Sequence, residues 1–238
     1  MVVLKKTSVV VLILLLSSLV FAQQIYTAPK APSKMKIDGK LDEWSNVPYI
    51  NLDSAEYLVL ANRNWAGPQD LSGKIYVMWD EEYLYLACDI VDNVVLQEKE
   101  GSYLFQGDTI EIYLRMNYLV DAGKTYYTTD DYQFGFTPGT DALAPDWHVW
   151  NNSRLFTDVQ VEAQKTEKGY ILEIAIPIWE MDLEEELEEY LEIGFDVAID
   201  DVDNTNATDT ELQLAWSKSA QGWADPTVFQ LLILGRGK

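Results

Sequence analysis

Over most of the chain, apolar and polar positions alternate one by one, the period of two that belongs to extended strands. The stretch FQGDTIEIYLR shows it best. Ile110, Ile112 and Leu114 fall on one side, and Thr109, Glu111, Tyr113 and Arg115 on the other. The same alternation predicts strands at KIYVMW, YLYLACDI, YQFGFT, WHVWN, DVQVEAQ, YILEIAIP, IGFDVAI, LQLAW and VFQLLIL. KIYVMW and YLYLACDI flank DEE and read as a hairpin. Clusters such as EKGY, DDVDNTNATD and SAQGWADP supply the turns. Only WEMDLEEELEEYLE changes the period: Leu183, Leu187 and Leu191 stand four apart, predicting one short acidic helix. Many short strands with frequent turns predict an all-β fold, an antiparallel β-sandwich of jelly-roll or immunoglobulin-like type, as a single domain over 37–235. Residues 23–36, with little periodicity, read as an N-terminal arm or linker.

The first residues follow a different logic. Lys5 and Lys6 precede a short apolar run, and Val20 and Ala22 form a small-residue cleavage pattern. This predicts a signal peptide over 1–22, cut near Ala22, and an exported protein, periplasmic or extracellular. The run is short for a span of about 20 residues. No later stretch resembles one, so no membrane span is expected after cleavage.

Charge narrows the partners. With 39 acidic against 17 basic residues the net charge is −22. Such a surface repels nucleic acid and anionic membranes. The single cysteine, Cys88, rules out an internal disulfide and a thiol–metal cluster. One histidine, His148, leaves zinc without its usual ligands. Neither a nucleophile elbow nor a phosphate-cradling glycine loop is present. No organic cofactor is expected. Asp200–Asp209 offers hard oxygen ligands suited to structural calcium, without the sixth-position Gly and twelfth-position Glu of an EF-hand; the ligand set stays open. Eight Trp and fourteen Tyr are many for a modest chain, and tryptophan is seldom exposed without a use.

The most specific signal is a resemblance. IDGKLDEW, VMWDEEYLYLACDIVDN, GDTIEIYLR, DDYQFGF, GYILEIAIP, GFDVAIDDVDN and AWSKSAQGWADPTVFQLLIL, in this order and spacing, make nearly the whole chain after residue 36 similar to a family 9 carbohydrate-binding module, within the wider DOMON-like sandwich group. The resemblance implies a non-catalytic β-sandwich, calcium in some members, and recognition of cellulose- or xylan-derived oligosaccharide or polysaccharide. It also implies association with a separate glycoside hydrolase or sugar-uptake complex. In that family a sugar lies between two tryptophans and is held by a glutamate and a glutamine. The carbohydrate-binding residues then fall on Glu111, Gln133 and Trp223, with Phe105 where the other tryptophan stands. Tyr103 or Trp65 is the alternative for that face, and Trp147 and Trp150 are further platforms. A family arginine is replaced near Gly135, and a family asparagine by Ala220 or Gln221.

Elementary chemistry agrees with this assignment. A sugar ring has a flat C–H face that packs on an aromatic plate, and hydroxyls that a carboxylate and an amide orient. Parity puts Glu111 and Gln133 on one outward face, so both are expected to face a ligand groove. The alternative reading is a haem-binding DOMON-type electron-transfer domain, with His148, Met78, Met116 and Met181 as the available ligands. A glycosidase would need a carboxylate pair about 5–10 Å apart in a cleft, and nothing in the sequence singles one out.

Overall fold

The computed structural model describes residues 23–32, 35–181 and 187–236. The expected signal peptide over 1–22 lies outside them. All ten predicted strands form. They are β4 (Leu71–Trp79), β5 (Tyr83–Asp92), β6 (Thr109–Arg115), β7 (Asp131–Thr137) and β8 (Asp146–Trp150), then β9 (Gln160–Thr166), β10 (Gly169–Pro177), β11 (Glu192–Asp201), β12 (Leu212–Ala215) and β13 (Gln230–Leu234). Three short ones were not predicted: β1 (Ile25–Ala28), β2 (Tyr49–Leu52) and β3 (Leu58–Ala61). β1 and β2 alternate exposed and buried over only four residues, and β3 is half-buried without alternation, too little to stand out from loop sequence.

Two sheets pack face to face. One runs β2-β4-β5-β10-β9. The other has the path β1-β13-β11-β6-β7-β8, with β12 beside β11 and β3 beside β12. The core between them takes the apolar parity of each strand, including the fully buried Ile110, Ile112, Leu114, Phe134 and Phe136. Every strand pair is antiparallel except β1–β13, where Ile25–Ala28 lies parallel to Leu231–Leu234. The lead-in is therefore a sheet-bound arm, not a free linker. Ala31 N–H donates to Trp79 O at 2.7 Å, tying the arm to the other sheet as well.

The expected helix does not form where it can be seen. Residues 182–186, including Leu183, lie outside the described set. Before them is a single 3-10 turn, Ile178–Glu180, and after them Leu187 is buried in the core without helical structure. Tyr190 has φ 74°, a left-handed conformation that no helix continues through.

The outer face of the smaller sheet is covered by the segment that carries IDGKLDEW. Its anchor is Glu173 on β10, which is fully buried. One carboxylate oxygen accepts from the backbone N–H groups of Asp38, Gly39 and Lys40 at 2.7, 2.8 and 3.3 Å. The other accepts from Trp44 Nε1 at 2.7 Å. Gly39 is required here. It has φ +75°, and a Cβ would stand 3.0 Å from the Ala163 backbone. Two sequence motifs far apart in the chain are thus joined through one carboxylate. Glu173→Ala strands four donors under the segment and is expected to cost about 3 kcal/mol. Urea denaturation checks this: the midpoint should fall sharply while the native far-UV spectrum persists.

Candidate functional site

The outward parity of β6 is expected to put Glu111 and Gln133 at a ligand groove, and this face is almost wholly covered rather than open. Thr109, Glu111, Tyr113 and Arg115 are all buried, as is Gln133 on β7. Directly opposed residues in a ladder point the same way, so the strand register lays out the floor as cross-strand rows. One row runs Ala215, Ala198, Glu111, Gly135, His148 across β12, β11, β6, β7 and β8. Beside it, Leu60, Gln213 and Asp200 come from β3, β12 and β11. On the other side Asp196, Tyr113, Gln133 and Trp150 line up. Glu111 is flanked in its row by Ala198, packed against Tyr113 and Phe229, and by Gly135, over which the Trp150 ring lies, and a hollow opens above Glu111.

That hollow is a recess of about 450 Å³, and all four residues named from the sequence line it: Phe105, Glu111, Gln133 and Trp223. Glu111 accepts from the Tyr113 hydroxyl and from Gln133 Nε2, the latter at 3.2 Å. Gln133 Oε1 accepts from Asn151 Nδ2 at 2.8 Å, and the same amide reaches Trp223 O at 3.3 Å. The polar floor is thus connected to the turn that carries the exposed tryptophan.

The walls are made by two loops. Phe105 sits in a 3-10 turn, Gly101–Gln106, pinned by Thr210 Oγ1 donating to Phe105 O at 2.9 Å. Trp223 is 59% exposed, on a tight turn closed by Ala224 and Asp225 N–H donating to Gln221 O. Gly222 rests on the Tyr113 ring, 3.1 Å from where its Cβ would be, and its carbonyl accepts from Tyr127 Oη at 2.6 Å. The indole is thus left exposed on a firmly braced turn and presents a flat apolar face to the recess.

Four participants were not named among the site residues: Asp200, Gln213, Asn151 and Trp150. Asp200 had been read as part of a calcium loop, but its side chain lines the recess and accepts from Gln213 Nε2 at 2.7 Å. Its alternating parity with Ile199 was the signal available. Trp150 had been read only as a further platform. Its ring lies over Gly135, with the far end of the indole 2.4 Å from where a Cβ would stand, and Nε1 donates to Ser102 O at 3.1 Å. The alternative partners for Trp223 lie elsewhere. Trp65 is packed against the core with Nε1 donating to Leu71 O, and Tyr103, though exposed, does not line the recess. Trp147 also packs against the core. The three methionines named for haem are buried in apolar clusters, whereas His148 lies on the outer face beside Trp150.

Burial dominates the electrostatics. It pushes the Asp200 carboxyl well above the usual range, with Glu111 adding to the effect. Glu111 is also pushed up by burial and drawn partly back by Tyr113 and Gln133. Burial depresses His148.

A second cluster lies off the floor. Asp92, Asp201 and Asp203 place carboxylate oxygens within 4.8 Å of one another. Asp92 Oδ2, Asp201 Oδ1 and Asp203 Oδ1 are buried without a hydrogen-bond partner. Arg63 contacts the other side, reaching Asp201 at 2.5 Å, Asp203 at 3.0 Å and Asp70 at 3.0 Å. Three unpaired hard oxygens suit a calcium ion. The DDVDN stretch supplied two of them; Asp92, at the end of β5, was not foreseen because sequence does not show which loops meet.

Comparison with known proteins bears on the family and the fold. The family model described as "Carbohydrate family 9 binding domain-like" matches residues 37–236. "Exoglucanase XynX" of Acetivibrio thermocellus is 26% identical over 83% of this chain, and "Endo-1,4-beta-xylanase A" of Thermoanaerobacterium saccharolyticum is 26% identical over 93%. The chain spans only 16% and 17% of those two proteins. Among solved structures, a carbohydrate binding module family 9 from Caldicellulosiruptor kristjanssonii in complex with cellotriose shares the fold at TM-score 0.69 and 18% identity. The match covers 90% of this chain and 95% of that one. A putative carbohydrate-binding protein from Bacteroides uniformis follows at TM-score 0.58 and 11% identity, covering 90% and 100%.

Asp196, in the row through Tyr113, supplies a pH test. Burial raises its carboxyl to about 7, and Oδ2 has no partner. Its ordinary value is about 3.9. The folded protein therefore holds a proton that the unfolded chain releases, so Asp196's stabilising contribution is whole below about pH 4 and lost as pH rises through about 7. Asp196→Asn removes that loss. Its melting temperature relative to wild type should climb between about pH 5 and pH 8, by scanning calorimetry.

Proposed function

The chain belongs to the carbohydrate family 9 binding domain-like family, a non-catalytic carbohydrate-binding domain, and we propose from this that its recess binds cellulose- or xylan-derived oligosaccharide or polysaccharide. The observation that carries the proposal is convergence. Residues from β6 and β7 and from two separate loops, selected by motif alone, line one recess with an exposed tryptophan over a carboxylate–amide floor. Trp223 provides the plate for the C–H face of a sugar ring, with Phe105 at the opposite rim. Glu111 and Gln133 orient the hydroxyls, the carboxylate through charge-assisted bonds of about 1.5–3 kcal/mol each. A micromolar complex needs about 8 kcal/mol, within reach of one plate and three or four such bonds. The reading extends to an exported protein that works beside a separate glycoside hydrolase or sugar-uptake complex. It is supported by the apolar N-terminal pattern and by the hydrolase names of the relatives.

Isothermal titration with cello- and xylo-oligosaccharides tests it. Trp223→Ala and Glu111→Gln are each expected to weaken binding at least tenfold, about 1.4 kcal/mol, in protein whose circular dichroism is unchanged. No heat with any of these sugars from folded wild-type protein would overturn the proposal.

We also infer that Asp92, Asp201 and Asp203 hold a structural calcium ion, on the strength of their three unpaired buried oxygens. At a hundredfold excess over its Kd such an ion stabilises the fold by about 2.7 kcal/mol. Wild-type protein should melt several degrees higher in calcium than in EDTA, whereas Asp92→Asn and Asp203→Asn should lose most of that difference. Equal melting of wild type in both buffers would refute the site.

A further inference from the structure

The recess is polar in a lopsided way. Among the described residues its lining holds three carboxylates, Glu111, Asp200 and Asp209, and no lysine, arginine or histidine. Its donors are largely engaged already. The Tyr113 hydroxyl and Gln133 Nε2 point to Glu111, and Gln213 Nε2 points to Asp200. Asn151 Nδ2 is shared between Gln133 Oε1 and Trp223 O. The Trp150 N–H faces away, to Ser102 O. Across the hollow from Glu111, the position on β7 is Gly135, and the Trp150 ring fills the volume that a side chain there would enter. No cationic side chain from that strand reaches the floor.

What such a floor offers a ligand is chiefly acceptors, with negative charge that burial lessens at Asp200, whose carboxyl it holds well above the usual range. A neutral sugar matches it, because each hydroxyl can donate. A protonated amino sugar matches it too, with charge in its favour. A uronic acid does not. Its carboxylate is an acceptor only, and it enters among carboxylates in a partly desolvated recess, where like charges repel more strongly than in water. We propose that this recess sorts glycans by charge, taking uncharged and amino sugars and excluding uronic acids. The proposal rests on the carbohydrate-binding reading and adds the class of sugar admitted.

Three trisaccharides with the same β-1,4 linkage test it: cellotriose, its glucuronic acid counterpart and its glucosamine counterpart. Calorimetric titration of the purified wild-type protein near neutral pH should give a glucuronate Kd at least tenfold above that of cellotriose, with the glucosamine trisaccharide no weaker than cellotriose. Asp209 is exposed at the rim, where its Oδ1 accepts from the Thr210 N–H at 3.0 Å. Asp209→Asn removes the rim carboxylate and should narrow the gap between the glucuronate and cellotriose Kd values. Equal binding of cellotriose and the glucuronate trisaccharide overturns the charge sorting while leaving the carbohydrate reading intact. Failure of all three to bind overturns both.

Discussion

The governing constraint in this molecule is an excess of buried negative charge. Among the described residues eleven Asp and Glu side chains are buried, against one buried cation, Arg115. A desolvated carboxylate must find donors or keep its proton, and the fold meets that demand in different places by different means. Asp131 takes the arginine, with Nε and Nη2 each at 2.8 Å. The remaining guanidinium donors bind the carbonyls of Asp121, Lys124 and Tyr126, which fixes the loop between β6 and β7. Glu173 and Asp108 take backbone N–H groups instead, from 38–40 and from Leu96 and Val202. Under the recess the solution is side-chain hydroxyl and amide. At Asp92, Asp201 and Asp203 the protein's own donors fall short.

These solutions divide the molecule by task. Where a carboxylate is met by rigid backbone, its role is to hold a segment in place, as Glu173 holds the chain around Trp44. Where it is met by other side chains in an open hollow, lone pairs remain for a ligand. Glu111 is of the second kind: it lines the recess while accepting from the Tyr113 hydroxyl and Gln133 Nε2. The aromatic walls come from elsewhere in the chain and are braced by the same atoms, since the Tyr113 ring carries Gly222 while its hydroxyl serves Glu111.

Much of this was legible beforehand, and the gaps have physical reasons. Alternation marked ten strands because both sides of each are committed, one to the core and one to water or loops. It missed β1 and β2, whose alternation is brief, and β3, whose residues are half-buried without alternation. The leucine repeat falls largely outside the described residues, and among those described Leu187 serves as a core residue without helical structure. Parity put Glu111 and Gln133 on one face correctly, but it cannot show that loops roof that face, so their depth came as a surprise. Phe105 and Trp223 were legible only through motif order. Asp200, Gln213, Asn151 and Trp150 enter the recess through register between strands distant in sequence, which no local pattern encodes.

The ladder that builds the floor and the turns that build the walls differ in how freely they can drift. Every floor residue sits in a row shared by three to five strands, so replacing one disturbs partners on both sides. Gly101–Gln106 and the turn from Ser217 to Asp225 touch the floor at few points. A lineage carrying this sandwich can therefore reshape the walls of the recess by rewriting two short turns, and inherit the rest unaltered.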